Sequence, residues 1–338
     1  MTRSRAIYGC AGTDLSAEER AFFLEAQPWG FILFARNVAD PAQVRSLVSS
    51  LRETVGDGNA PVLIDQEGGR VARLKPPHWK ARPPAHRFGD LYRENADAGQ
   101  KAAYLNARLI AEDLSQLGIN VDCVPVLDLP VSGADAVIGD RAFYSDPEIV
   151  IALGRAVIEG MLDGGVLPVM KHIPGHGRAT ADSHFALPRV ATPEAELRAT
   201  DFAPFRALSD CPMAMTAHVV YETIDARHPA TTSARIIGEV IRRDISFGGL
   251  LMSDDLSMKA LGGSFAERSR AALSAGCDIL LHCNGRMDEM RELASEAGAL
   301  DAEARARSDK ALARLRAPKP FDATAAEANL AELMGATV

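Results

Sequence analysis

Short runs of apolar residues, each ending near Gly, Asp, Asn or His, recur along the chain and alternate with longer stretches of helical periodicity. The first kind reads as buried strands and the second as amphipathic helices with charged outer faces. The apolar runs lie at 6–10, 30–34, 62–65, 121–126, 167–171, 212–217, 250–254 and 278–283. Between them the periodicity predicts helices over 16–26, 41–54, 96–117, 147–163, 193–208, 233–245, 265–275 and 287–297. Ser16, followed three residues later by Glu19, is a capping-box signature at the first of these. Continuous strand–helix alternation calls for a parallel sheet with helices outside. Eight repeats favour an α/β fold closed as a TIM (β/α)8 barrel over an open doubly wound sheet.

The pattern also sets the domain plan. Residues 1–300 are expected to form the barrel, and the Ala/Glu/Arg-rich stretch 301–338 a C-terminal helical extension packed on it, within a single domain. The segment 74–90 interrupts the alternation with four prolines and Trp79. It reads as a stiff loop, either walling a pocket at the face where barrel βα loops gather or simply burying Trp79.

Charge and cysteine usage narrow the class. Lys and Arg number 37 against 45 Asp and Glu, a net charge of −8 without a basic block, which gives no footprint for nucleic acid. No stretch approaches the roughly 18–20 apolar residues of a membrane span. The apolar stretch 6–12 is too short for a signal-peptide core, so a cytoplasmic location is expected. Five scattered cysteines without a Cys-x-x-Cys pair read as buried thiols.

Polar residues follow the apolar runs with regularity: Asp65-Gln-Glu-Gly-Gly-Arg70, Asp128, Lys171-His-Ile-Pro-Gly-His-Gly177, His218, Ser253-Asp-Asp255 and His282-Cys-Asn284. In a barrel these positions stand at the C-terminal rim, where sites are built. His172 and His176 have the spacing of a helical zinc pair, but Pro174, Gly175 and Gly177 oppose a helix there, and no metal site is expected. Asp182 and His184 are two apart, close enough for the carboxylate to fix the imidazole tautomer and raise its proton affinity. That pair suits general acid/base work, or else forms an Asx-type turn with an exposed histidine. Strand alternation lets only one of Asp254 and Asp255 project into the mouth, and period does not choose between them. The projecting carboxylate is a nucleophile, a base or a helix cap.

Three motifs in order carry a family resemblance: Ile64-Asp-Gln-Glu-Gly-Gly-Arg-Val-Ala-Arg73, then Lys171-His-Ile-Pro-Gly-His-Gly177 with Thr180-Ala-Asp-Ser-His184, then Ser253-Asp-Asp-Leu-Ser-Met258. With Gly139-Asp-Arg-Ala-Phe143 and Ala217-His-Val219, the chain from about residue 30 to 284 resembles the family 3 glycoside hydrolases. More closely it resembles the bacterial β-N-acetylhexosaminidases of peptidoglycan recycling, the NagZ group. Ile173 stands where such motifs often have Phe, and Lys259 where an acidic residue is frequent.

The resemblance implies a retaining mechanism with Asp254 as nucleophile and His184, partnered by Asp182, as acid/base in place of the usual second carboxylate. It further implies that Asp65, Arg73, Arg141, Lys171 and His172 hold the sugar, with His218 added to that set. Gln66 and Glu67 are kept as supporting candidates. The implied activity is exo-β-N-acetylglucosaminidase, releasing terminal GlcNAc from GlcNAc-1,6-anhydro-MurNAc and its peptides without a cofactor, as a monomer. The β-glucosidase and β-xylosidase members draw an acid/base from a second domain, for which this length leaves no room. A β-N-acetylglucosaminide phosphorylase, a metal-dependent barrel hydrolase and a non-catalytic carbohydrate-binding protein are the rival readings.

Overall fold

The computed structural model describes residues 3–131, 133, 137–179 and 187–335. Eight parallel strands close a barrel: β1 Ser4–Gly9, β2 Pro28–Leu33, β3 Val62–Ile64, β4 Val121–Asp122, β5 Leu167–Ile173, β6 Met213–Thr216, β7 Leu250–Asp255 and β8 Ile279–His282. Each strand pairs with its sequence neighbours, and β8 returns to β1 with Leu281 opposite Ile7. Alternation within each strand splits its side chains between two dry layers. Ile7, Leu63, Val169, Met213, Met252 and Leu281 fill the barrel interior. Tyr8, Leu33, Ile64, Met170, Leu251 and Leu280 face the surrounding helices. This double burial is why the strands read as unbroken apolar runs.

The helix Ala17–Ala26 starts at the expected capping box, with Ser16 accepting the Glu19 N–H and Glu19 accepting the Ser16 N–H. Helices Pro41–Thr54, Ala96–Ser115, Pro147–Asp163, Phe265–Ala275 and Met287–Ala297 also stand where the periodicity placed them. The expected helix over 193–208 divides into Glu194–Ala199 and Ala203–Ala207. Pro204 has no N–H to continue the first segment, and it sits in the first turn of the second. Helix His86–Glu94 begins inside the segment read as loop, while Trp79 is buried as expected. The fourth strand is shorter than its apolar run, because Pro125 lacks a ladder donor; Val126 regains a single bridge to Lys171.

Two C-terminal helices attach to different elements of the barrel. Ala302–Leu312 closes the N-terminal end of the barrel, where Ala311 and Leu312 join the interior cluster and Trp29 Nε1 donates to Ser308 Oγ at 2.7 Å. Buried Asp278 receives Arg242 and Arg307 there, each at 2.8 Å, and ties this helix to the strand starts. Ala323–Leu333 packs on Ala96–Ser115, and its Glu327 holds the buried Arg82 of the proline-rich segment at 2.8 Å. All five cysteines are buried and free, as expected. No helix among the described residues is long and apolar enough to cross a membrane.

Candidate active site

The turn after β3 is held from within. Gln66 Oε1 accepts the N–H groups of Arg73 and Leu74 at 2.8 and 3.0 Å, and its amide donates to Leu74 O at 3.0 Å. Gly68 and Gly69 adopt φ of +100° and +56°, and a Cβ on Gly68 would come within 2.4 Å of Pro83 O, so only glycine fits that turn. It brings Asp65 and Glu67 to the barrel mouth.

Three cations from three elements meet these carboxylates. Arg73 Nη2 lies 3.0 Å from Asp65 Oδ2, and Lys171 Nζ lies 2.8 Å from Asp65 Oδ1 and 2.7 Å from Glu67 Oε1. Arg141, in the turn after β4, clasps Glu67 with two parallel bonds of 2.8 Å. The result is an alternating chain Arg73–Asp65–Lys171–Glu67–Arg141. Burial alone would raise the Asp65 and Glu67 carboxyls, but the neighbouring cations outweigh it and hold both below the ordinary carboxylate range. Lys171, whose charge burial opposes, is held above its usual range by the same two anions.

Lys171 and His172 are adjacent, yet both line the cavity. The register of β5 against β6 slips there, with Lys171 opposite Met215 and Ile173 opposite Thr216, so the strict alternation is broken. His172 Nδ1 is 2.7 Å from Asp128 Oδ2, and Asp128 Oδ1 accepts the N–H groups of His172 and His176 at 3.2 and 2.7 Å. A carboxylate can only accept, so Nδ1 carries the proton and Nε2 is left to the cavity. His176, buried and facing His172, is pushed down to about 4, first by burial and then by that neighbour.

A second slip, Met252 opposite Ile279 but Asp255 opposite Leu281, resolves the Asp254/Asp255 ambiguity in an unexpected way. Both residues reach the cavity wall. The Asp255 carboxylate is consumed by the N–H groups of Ser257 and Cys283, at 2.9 and 3.1 Å, and acts as a local cap. Among the described residues the Asp254 carboxylate accepts a single bond, from the Asp255 N–H at 2.8 Å. Burial would raise it, but His218 and His172 oppose that and keep it below its usual range, ionised at neutral pH.

Asp65, Arg73, Arg141, Lys171, His172 and Asp254 thus surround one cavity of about 320 Å³ at the C-terminal ends of the strands. His218 does not share it. It stands fully buried, with Nδ1 2.7 Å from Thr231 Oγ1 and Nε2 3.0 Å from Asp255 O. Asp182 and His184 lie outside the described residues. Both flanks of their segment are anchored: Arg178 binds Asp201 at 2.7 Å and Glu196 at 2.8 Å, and Pro188 O accepts the Val220 N–H at 2.9 Å. The short parallel pair Arg189–Val190 with Val220–Tyr221 completes the second anchor; its two-residue strands carry no period to read.

Sequence reasoning assigned no role to Asp128, although it ends the fourth apolar run, and gave Glu67 only a supporting one. Among the described residues, no group of three or more His, Cys, Asp or Glu side chains could hold a metal ion. A larger hollow of about 780 Å³ lies between the helices Ala17–Ala26 and Met287–Ala297, where Glu18 and Arg291 pair at 2.8 Å.

Comparison with known proteins places the fold and the sequence in one family. Beta-hexosaminidases of Alkalilimnicola ehrlichii and Pseudomonas aeruginosa are 41% identical over 284 residues and 40% identical over 287, spanning 82% and 84% of this chain and 80% and 83% of the relatives. Native NagZ from Neisseria gonorrhoeae superposes with a TM-score of 0.88 at 34% identity, covering 99% of this chain and 98% of that one. The same protein in complex with N-trifluoroacetyl-D-glucosamine gives 0.87 at 33%, covering 100% and 99%. With residues 9–317 matched by the model for the glycosyl hydrolase family 3 N terminal domain, the chain belongs to glycosyl hydrolase family 3.

Proposed function

We propose that this chain is a retaining exo-β-N-acetylglucosaminidase, acting in the cytoplasm on GlcNAc-1,6-anhydro-MurNAc and its peptides during peptidoglycan recycling. The observation that carries the reading is the state of Asp254: an ionised carboxylate with one hydrogen bond among the described residues, facing a cavity lined by a charged hydrogen-bonding chain. A nucleophile needs a lone pair that no protein donor has claimed. The cavity is closed below by Ile32, Met215 and Leu281, which suits the end of a glycan rather than its middle.

In this reading Asp65, Arg73, Lys171, Arg141 and His172 bind sugar hydroxyls and the N-acetyl group. A sugar lacking those groups would leave buried polar atoms unpaired, and so be rejected. In the first step Asp254 bonds to the anomeric carbon as the glycosidic bond breaks, and His184, oriented by Asp182, gives its proton to the leaving oxygen. In the second, water bonds to the same carbon, the ester to Asp254 breaks, and the water proton returns to His184.

Release of the aryl group from an aryl N-acetyl-β-glucosaminide, beside the matching β-glucoside, tests the reading in phosphate-free buffer with a chelator. Turnover of the N-acetyl substrate alone, lost by orders of magnitude in Asp254→Asn, is the expected result. Turnover only after phosphate addition would make the chain a phosphorylase, and near-wild-type turnover by Asp254→Asn would remove the nucleophile assignment.

A further inference from the structure

Asp254 owes its orientation to His218 and to two threonines that no motif of the sequence singled out. The pairing of β6 with β7 runs from Met213 opposite Leu250 to Met215 opposite Met252, and β7 then slips against β8. Past that point the Asp254 N–H donates to a side chain, Thr216 Oγ1, at 3.3 Å. Thr216 Oγ1 lies 2.8 Å from Thr231 Oγ1, which comes from the short turn Ala230–Thr232. Thr231 Oγ1 is also 2.7 Å from His218 Nδ1 and 3.1 Å from Ala217 O. His218 closes the circuit by donating Nε2–H to Asp255 O at 3.0 Å.

These contacts form a ring around the Asp254–Asp255 dipeptide, gripping the N–H at its start and the carbonyl at its end. Thr216, Thr231 and His218 have no solvent exposure, so water does not replace a lost partner. A hydroxyl has one proton and two acceptor sites. With Nε2–H given to Asp255 O, Nδ1 is the acceptor, so the Thr231 proton goes to His218 while its oxygen accepts from Thr216, and Thr231 is the one member that touches both arms of the ring. Removing its hydroxyl leaves Thr216 and His218 each one buried partner short and loosens both ends of the dipeptide together.

We propose that Thr231 is a positioning residue for the nucleophile, acting through Thr216 on the Asp254 N–H and through His218 on the Asp255 carbonyl. The proposal rests on the reading of Asp254 as nucleophile. Its effect falls on the step in which Asp254 attacks, not on sugar binding, because the ring lies behind the cavity wall and touches none of Asp65, Arg73, Arg141 or Lys171.

Thr231→Val keeps the side-chain shape and removes the hydroxyl, while Thr231→Ser restores it. With an aryl N-acetyl-β-glucosaminide, Thr231→Val is expected to lower kcat and the pre-steady-state rate of aryl release by about 10- to 100-fold with KM little changed. Thr231→Ser is expected to recover most of that loss. A folded Thr231→Val enzyme with wild-type kcat and aryl-release rate overturns the proposal, as does a loss shared equally by Thr231→Ser. If Thr231→Val does not fold, Thr216→Val carries the test: a fall in kcat without a matching change in KM supports the ring, and wild-type kcat overturns it. Asp254→Asn, run in parallel, separates the two ideas. If it is inactive while Thr231→Val is wild-type, only the positioning role fails; if Asp254→Asn is active, the nucleophile reading fails first.

Discussion

His172 is tethered through Nδ1 to the buried carboxylate of Asp128, 2.7 Å away, and the same carboxylate accepts the backbone N–H groups of both His172 and His176. One side chain therefore sets the ring orientation, the tautomer and the path of the strand end. Burial would raise the Asp128 carboxyl, but His172 opposes that and holds it below its ordinary range. Asp128→Asn keeps an oxygen for the backbone donors but presents an amide N–H to Nδ1, forcing the imidazole proton onto Nε2. Hydrogen bonds to charged groups contribute about 1.5–3 kcal/mol, so kcat/KM is expected to fall roughly 10- to 150-fold while the fold survives. Steady-state kinetics beside a thermal melt checks this, and an unchanged kcat/KM would show that the tautomer is immaterial.

The clasp of Arg141 on Glu67 depends on geometry as well as charge. Two parallel bonds of 2.8 Å fix the guanidinium plane, and Glu67 in turn aligns Lys171 at 2.7 Å. Arg141→Lys keeps the charge but replaces the fork with a single ammonium. Loss of one such bond is expected to raise KM on the order of 10-fold, with a smaller effect on kcat. Equal KM values for the variant and the wild type would mean that Arg141 only shapes the rim.

Much of this arrangement was legible in the sequence because burial on both faces leaves long apolar runs, and the rim follows where each run ends. Asp65, Lys171 and His172 were found that way, and all reach the cavity. The sequence misled where backbone regularity fails. Alternation predicts that one of Asp254 and Asp255 turns away, but the slip between β7 and β8 brings both to the wall. Asp128 and Thr231 escaped because their roles are set by hydrogen bonds to residues 44 and 15 positions away, and no local period records such a pairing. His218 follows its strand as the sequence indicates, but strand position does not say whether an imidazole faces the cavity or the packed side chains around it, and here its partners are Thr231 and Asp255.

The two ends of the barrel separate stability from chemistry. Trp29 Nε1 donates to Ser308 Oγ at 2.7 Å in a fully dry setting at the end remote from Asp254. Ser308→Ala leaves that indole N–H without its partner. A cost of about 1–3 kcal/mol in unfolding free energy is expected, with kcat/KM unchanged. Urea denaturation and kinetics on the same preparation measure both, and a loss of activity in the folded variant would show that the C-terminal helix communicates with the site.

Asp122 lies beneath the charged chain, fully buried, and is served by one donor, the Gln66 N–H at 2.9 Å on Oδ1. Its Oδ2 has no partner among the described residues. Burial pushes its carboxyl up to about 7, and the attraction of Lys171 is set against repulsion from Asp65 and Glu67. In the unfolded chain the same group titrates near 4 (~3.9). Below that value both states hold the proton and the burial carries no ionisation penalty. As pH rises from about 4 towards 7 the unfolded chain releases its proton while the folded one keeps it, so stability from this group falls across that window and is fully lost above the folded value. The loss is on the order of 4 kcal/mol. Asp122→Asn retains an acceptor for Gln66 and never ionises. Urea unfolding at pH 5 and pH 8 is expected to show the variant gaining on the wild type as pH rises. A stability difference that stays constant between the two pH values would place the proton elsewhere in the cluster.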